Sequence, residues 1–73
     1  MVNEVTKSYK LSRNIAKFRK SKNFSQNTLA ERLNISREHL AKIETNKRNI
    51  SIGLLFELCN TLGIEEKQLF DFE

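Results

Sequence analysis

Four residues near the middle of the chain carry the groups best suited to contact a partner molecule: Arg37, Glu38, Ala41 and Lys42. They are interspersed with apolar Leu40 and Ile43, which a helix would turn inward, so helical spacing places the four on the outer face. A guanidinium can donate two parallel hydrogen bonds, a carboxylate accepts them, and an ammonium group attracts anions. The chemistry indicated is recognition of charged and hydrogen-bonding groups.

The rest of the chain does not supply a catalytic set. Its 73 residues include one histidine, His39, and one cysteine, Cys59, so neither a Cys/His metal motif nor an intramolecular disulfide is expected. The sequence has no phosphate-binding loop or nucleophile elbow, and the adjacent Glu65 and Glu66 suit a helix start. We therefore expect no enzyme activity, metal, cofactor or small-molecule ligand, and we expect Cys59 to fill core space rather than act as a redox switch.

Two short helices must position the outer-face residues, and residues 25–46 contain both. Apolar residues recur at helical spacing in each half of this segment. Ser25 and Ser36 precede the two halves and can cap them, and Asn34 can adopt the left-handed backbone of a tight turn. A connection of about three residues is too short for an antiparallel hairpin, so the helices should cross steeply in helix-turn-helix geometry.

Charge is distributed unevenly along the chain, whose formal net charge is +4. Residues 7–22 hold seven basic side chains and no acidic one, whereas residues 51–73 hold five acidic side chains and one basic one. This asymmetry favours a polyanion as partner of the N-terminal half, although a solvated basic face would give the same pattern. The sequence has no apolar run of ~18 residues and no signal peptide, so we expect a soluble, cytoplasmic protein without membrane contact.

The N-terminal segment predicts one helix before this pair. Its apolar residues recur at intervals of four and three: Leu11, Ile15 and Phe18. The helix is expected to span about residues 8–22. Residues 1–7 form either a flexible arm or an earlier start to the helix.

The C-terminal segment predicts two more helices. Asn46 is expected to end the third helix in left-handed backbone. Ser51 should cap the fourth helix and Gly63 should end it, with five side chains turned inward: Ile52, Leu55, Leu58, Cys59 and Leu62. A last short helix over residues 65–70 turns Leu69 and Phe70 inward. The expected fold class is all-α, a compact five-helix arrangement in which residues 1–73 form a single domain.

Residues spread over about positions 11–70 resemble the Xre-like family, the phage-repressor and Cro type of helix-turn-helix domain. The residues that carry the resemblance are Arg19, Phe24-Ser25-Gln26, Leu29-Ala30, Ile35-Ser36-Arg37, Ile43-Glu44, Lys47-Arg48-Asn49, Leu55, Leu58, Leu62-Gly63-Ile64 and Leu69-Phe70. The resemblance implies that the third helix lies in the major groove of double-stranded DNA and that a homodimer binds a palindromic operator. The string at residues 48–52, together with the small size, also resembles controller proteins of restriction–modification systems.

This resemblance assigns chemistry to the outer face of the third helix. Arg37 can bind guanine O6 and N7 together, and Glu38 can accept from a cytosine amino group or orient Arg37. Ala41 and Lys42 complete the base-reading set. The residues expected to contact the DNA backbone are Ser25, Gln26, Asn27, Ser36, His39, Lys47, Arg48 and Asn49, with Lys17 and Lys20 as secondary candidates. Gln26 is also expected to brace the third helix.

Two further sets are expected to hold the protein together. The resemblance implies a buried or half-buried ion pair between Arg19 and Glu44, with a structural role. Leu54, Phe56 and Phe72 are apolar residues beyond the predicted core, and they form either an exposed patch for a second subunit or the edge of a broad core stripe.

The favoured function is a sequence-specific DNA-binding transcriptional regulator. The alternative is an antitoxin or protein-interaction module that uses the helix-turn-helix as scaffold, which the basic groups disfavour. RNA binding is weaker still, because no aromatic platform for unstacked bases is visible.

Overall fold

Five helices form the architecture of residues 4–72. In the computed structural model, which describes residues 4–72, they are α1 (Glu4–Ser21), α2 (Gln26–Arg32), α3 (Arg37–Glu44), α4 (Ile52–Leu62) and α5 (Glu66–Leu69). These described residues contain no strand. The predicted all-α, five-helix fold class is confirmed.

Serine caps begin the three central helices. Ser25, Ser36 and Ser51 have extended backbone, and each hydroxyl accepts a hydrogen bond from the amide three residues later, at 3.0, 3.0 and 3.2 Å respectively. Each cap satisfies an amide that the first helical turn leaves without a partner. The sequence therefore fixes where α2, α3 and α4 begin.

Left-handed residues end the helices. Asn23, Asn34 and Asn46 have φ values of 64°, 58° and 60°, and Gly63 ends α4 at a φ of 70°. Asparagine tolerates this backbone better than most residues because its short polar side chain can hydrogen-bond locally. The turn at Asn34 lets α2 and α3 pack directly against each other after only four residues.

Side chains from all five helices meet in one core. The fully buried members include Ile15 of α1, Leu29 of α2, Leu40 of α3 and Leu58 of α4. The short α5 contributes Leu69, whose carbonyl also accepts a hydrogen bond of 2.8 Å from Asn14 Nδ2 of α1. None of the helices described is long and apolar enough to cross a membrane.

α1 begins earlier than its apolar spacing predicts. It starts at Glu4 rather than near Ser8, so residues 4–7 are helical and do not form an arm. Residues 1–3, the remainder of the predicted arm, lie outside the described residues. No glycine or proline interrupts this segment, and the Ser8 hydroxyl does not cap a helix but donates to Asn46 Oδ1 at 2.7 Å. That bond joins α1 to the turn that follows α3.

The apolar pattern of the C-terminal helices differs from prediction at Ile52 and Phe70, and at Leu54 it decides between the two alternatives that the sequence left open. Leu54 is buried, because it recurs with Leu58 and Leu62 at intervals of four residues, so it cannot belong to an exposed patch. Ile52 was expected to point inward but is 66% exposed, since it lies at the first position of α4, at the end of the apolar stripe. Phe70 is 47% exposed. It follows the four-residue α5 and packs instead near Phe72, with ring centroids 6.2 Å apart.

Candidate nucleic-acid interface

The outer face of α3 carries the residues that helical spacing assigned to it. On the inner face, Leu40 and Ile43 are exposed by only 1% and 2%. The outer face exposes Arg37, Glu38 and Lys42 and leaves Ala41 half-buried. Charged groups therefore project from a helix whose opposite side is fixed in the core.

A network of hydrogen bonds joins the first residue of α3 to its last. Arg37 Nη1 donates to Gln26 Oε1 at 3.4 Å, and Gln26 Nε2 donates to Glu44 Oε1 at 3.0 Å. Arg19 Nη2 donates to the same Glu44 oxygen at 3.1 Å. These four residues are called the Gln26 network below. It connects an exposed guanidinium at the start of α3 to a buried carboxylate at its end.

Arg19 and Glu44 form the buried part of the Gln26 network. Arg19 Nε lies 2.7 Å from Glu44 Oε2, and the side chains are 9% and 5% exposed. Arg19 Nη1 also donates to the carbonyl of Phe24 at 2.8 Å. Such bidentate geometry compensates both charges without water, and among the described residues no buried side-chain nitrogen or oxygen lacks a hydrogen-bond partner. The pair ties α1 to the end of α3.

The sequence predicts the Arg19–Glu44 ion pair and the exposed Arg37, but it does not predict the hydrogen bond between Gln26 and Glu44 that connects them. Gln26 was expected to hold a phosphate and to brace α3, with nothing to indicate that the brace passes through Glu44. The two residues are 18 positions apart, so no helical or turn spacing relates them. The packing of α2 against α3 in the folded chain brings the amide of Gln26 to the carboxylate.

The residues before α2 and α3 lie at the edge of the outer face. Ser25 Oγ accepts from the Thr28 amide and also donates to Thr28 Oγ1 at 2.9 Å, so this hydroxyl is engaged within the helix start. Ser36 Oγ accepts from the amide of His39, whose side chain is half-buried. Asn27 is exposed at the second position of α2. The two serines therefore cap α2 and α3 at this edge.

A basic loop leaves the other end of α3. Lys47, Arg48 and Asn49 are all exposed, and the Lys47 amide donates to the carbonyl of Lys42 at 2.9 Å. The bond between Ser8 and Asn46 holds the turn that begins this loop. Positive side chains therefore follow α3 directly, and on α1 the secondary candidates Lys17 and Lys20 are exposed as well.

Nothing in the described part of the chain suggests bond-making chemistry. Among residues 4–72, no three or more histidine, cysteine, aspartate or glutamate side chains are grouped so that they could hold a metal ion. Burial raises the pKa of the Cys59 thiol, and the charge of Glu66 raises it further. A buried, protonated thiol is a poor nucleophile, so Cys59 acts as a core side chain.

Known proteins with the same architecture were found by sequence and by structure. The helix-turn-helix family matches residues 15–69. Control protein C.BamHI of Bacillus amyloliquefaciens is 34% identical over 50 residues, which cover 68% of this chain and 62% of that protein. The restriction–modification controller protein C.AhdI from Aeromonas hydrophila superposes with a TM-score of 0.79 and 31% identity, covering 84% of this chain and 92% of that one.

A third similar protein was solved with a bound partner. SinR, the master regulator for biofilm formation, was crystallised in complex with DNA, and its structure gives a TM-score of 0.76 at 31% identity, covering 84% of this chain and 98% of that one. The family match covers most of the chain and agrees with the resemblance drawn from the sequence. The chain therefore belongs to the Xre-like helix-turn-helix family of transcriptional regulators, which is not a family of enzymes.

Proposed function

We propose that this protein is a sequence-specific DNA-binding transcriptional regulator that inserts α3 into the major groove. The observation that carries the proposal is the position of Arg37, which is exposed in the first turn of α3 and held by Gln26. A guanidinium oriented before binding loses less conformational freedom when it forms a bidentate pair with guanine O6 and N7. The similarity to SinR, which was crystallised with DNA, supports the same partner here.

The remaining outer-face residues complete the base-reading set. Glu38 accepts from the amino group of cytosine, Lys42 contacts a base edge or a phosphate, and the methyl of Ala41 contacts a thymine methyl. Arg37 donates only one of its five N–H groups to Gln26, so the others remain available to a base or to Glu38. Each good contact of this kind discriminates against a wrong base by about 1–3 kcal/mol.

Contacts to the sugar–phosphate backbone flank this set. The proposed residues are Ser25, Gln26, Asn27, Ser36, His39, Lys47, Arg48 and Asn49. Half of them precede the base-reading set in the chain, and the basic loop follows it. Such contacts fix register and orientation while carrying little sequence information.

We further propose that a homodimer binds a palindromic operator. Its support is an exposed apolar pair on α4: Ile52 and Phe56 are 66% and 53% exposed and lie four residues apart, on one helix face. Dimers of helix-turn-helix domains bind two half-sites about 34 Å apart, so operator symmetry reflects the two-fold symmetry of the protein. Similarity to C.BamHI and C.AhdI supports a narrower role as a restriction–modification controller protein.

Selection from a random duplex library tests the proposal. The protein should enrich one palindromic sequence and bind it about 10³-fold or more tightly than random duplex at fixed salt. The Arg37→Ala variant, selected in parallel, should enrich a sequence degenerate at one base pair of each half-site. A bound pool without any common sequence would refute the proposal and favour a protein-interaction module built on the same scaffold.

A further inference from the structure

α1 presents a basic stripe that the helix-turn-helix does not include. Arg13, Lys17 and Lys20 are all exposed, and their intervals of four and three residues place them on one side of the helix. Residues 7–22 contain no acidic side chain that could neutralise them. Asp71 of the C-terminal segment lines a neighbouring groove together with Arg13 and Lys17, so the stripe carries three positive charges toward solvent and one acidic side chain borders it.

The basic stripe borders the outer face of α3. A groove of about 560 Å³ is lined by all three basic residues on one side and by Thr45, which follows α3, on the other. Thr45 is exposed and lies seven residues after Glu38, two helical turns along the same outer side of α3. The surface proposed to face DNA is therefore continuous with the basic stripe.

Arg13 is held in a defined position within the stripe. Its guanidinium carbon lies 5.8 Å from the centre of the Tyr9 ring, and its Nη1 donates to the Tyr9 hydroxyl at 3.3 Å. Tyr9 is itself 50% exposed, so its ring lies at the surface beside the guanidinium. The ring restricts a long cationic side chain, which lowers the entropy lost when that side chain binds an anion.

We propose that Arg13, Lys17 and Lys20 form a second row of contacts to DNA phosphates, on the strand that flanks the groove entered by α3. This inference rests on the proposed function and extends its footprint outward along one strand. From Arg13 to Lys20 the helix rises by about 10 Å, which equals about three intervals between successive phosphates of one strand at roughly 3.4 Å of axial rise each. The partner is duplex DNA because the stripe adjoins the base-reading helix and carries the complementary charge.

The salt dependence of binding tests this second row. On the selected operator, the slope of log Kd against log salt should fall by about 0.9 for Lys17→Gln and by about 2.7 for the triple variant Arg13→Gln, Lys17→Gln, Lys20→Gln. Lys67→Gln is the matched control, since it removes the same charge from an exposed lysine on α5, and it should keep the parent slope. All replaced side chains are exposed, so circular dichroism should give unchanged melting temperatures.

The outcomes separate this inference from the proposed function. If Lys17→Gln and the triple variant keep the parent slope while Arg37→Ala relaxes preference at one base pair, the second row does not exist but the regulator does. If the parent itself shows no site preference, both proposals fail. Ethylation interference gives a second measurement. Ethylation of phosphates at the outer flank of the operator should block binding of the parent but not of the triple variant. The same interference pattern for both proteins would overturn the inference.

Discussion

Gln26 donates a hydrogen bond of 3.0 Å to the same carboxylate oxygen of Glu44 that Arg19 holds. The first residue of α2 is therefore connected to the buried ion pair, and through its own Oε1 it accepts from Arg37. An arginine aimed by a fixed acceptor is pre-organised for a bidentate contact, whereas a free one must lose rotamer entropy on binding. The Gln26 network thus links the packing of α1, α2 and α3 to the side-chain orientation of Arg37, the proposed base-reading residue.

Gln26→Ala should reduce discrimination at the base pair contacted by Arg37. The variant removes the acceptor that orients the guanidinium, so affinity for the selected operator should fall by about 1 kcal/mol, or roughly five-fold. Stability should fall by only about 0.5–1.5 kcal/mol, because Glu44 keeps both bonds from Arg19. Binding to operators substituted at each position, measured by fluorescence anisotropy, gives the discrimination.

Asn27→Ala is the matched control for this prediction. Asn27 is the exposed neighbour of Gln26 on α2 and is proposed to contact only the backbone. Its replacement should weaken binding to all duplexes alike. If the Gln26 and Asn27 variants gave the same ratio of operator to random-sequence binding, the Gln26 network would have no part in recognition.

Arg19→Ala should destabilise the fold far more than an exposed charge deletion. It leaves the Glu44 carboxylate buried with only the bond from Gln26, and removing one partner of a buried pair costs about 3–5 kcal/mol. In a domain of this size the melting temperature should fall by at least about 12 °C. Lys67→Ala breaks the exposed Lys67–Glu65 pair of 3.4 Å and should change stability by less than about 0.5 kcal/mol. Equal melting temperatures for the two variants would contradict the prediction.

Arg37→Ala and Lys47→Ala should weaken binding in different ways. Loss of Arg37 should cost about 1–3 kcal/mol on the operator and relax preference at one base pair. Lys47 lies in the exposed loop after α3, so its loss should weaken all duplexes and lower the salt slope by about one. Titration of both variants on operator and random duplex distinguishes the roles. Equal losses on both duplexes for Arg37→Ala would remove it from the base-reading set.

Local chemistry explains why the sequence predicts helix ends so well. Ser25, Ser36 and Ser51 each begin a helix by a bond to an amide three residues away, and Asn34 and Gly63 adopt positive φ where a helix ends. These interactions need no distant partner, so residue type and position suffice. The exposed residues of α3 can be predicted in the same way, because the spacing of Leu40 and Ile43 identifies the side of the helix that faces the core.

Tertiary packing explains what the sequence does not predict. Helical spacing identifies the side of α4 that faces the core, but not how far along α4 the core extends, so Ile52 is exposed while Leu54 is buried. The bond from Gln26 to Glu44 and the contact of Arg13 with Tyr9 both depend on rotamers that sequence spacing leaves open. Each was found only in the folded structure.

Phe56→Ser should weaken the proposed dimer without disturbing the monomer. Phe56 is 53% exposed on α4, so the variant loses apolar area from the surface rather than from the core. Sedimentation equilibrium should show a dimer dissociation constant raised by ten-fold or more, roughly 1.4 kcal/mol. Leu54→Ala is the contrasting variant, because Leu54 is buried and its truncation should cost about 2–5 kcal/mol of stability. A parent that stays monomeric at high micromolar concentration would contradict the dimer.

Cys59 should make the protein less stable as the solution becomes alkaline. Burial, with a smaller contribution from the charge of Glu66, raises the pKa of this thiol above its ordinary value of 9.0. The unfolded chain therefore releases the proton first, so the stability is fully present below about pH 9 and is lost as pH rises toward the higher pKa of the folded state. The loss should approach about 1.4 kcal/mol per pH unit in that window. Urea denaturation of the parent and of Cys59→Ala at several pH values from about 8 to about 10 should give diverging curves, and parallel curves would show that the thiol does not govern this decline.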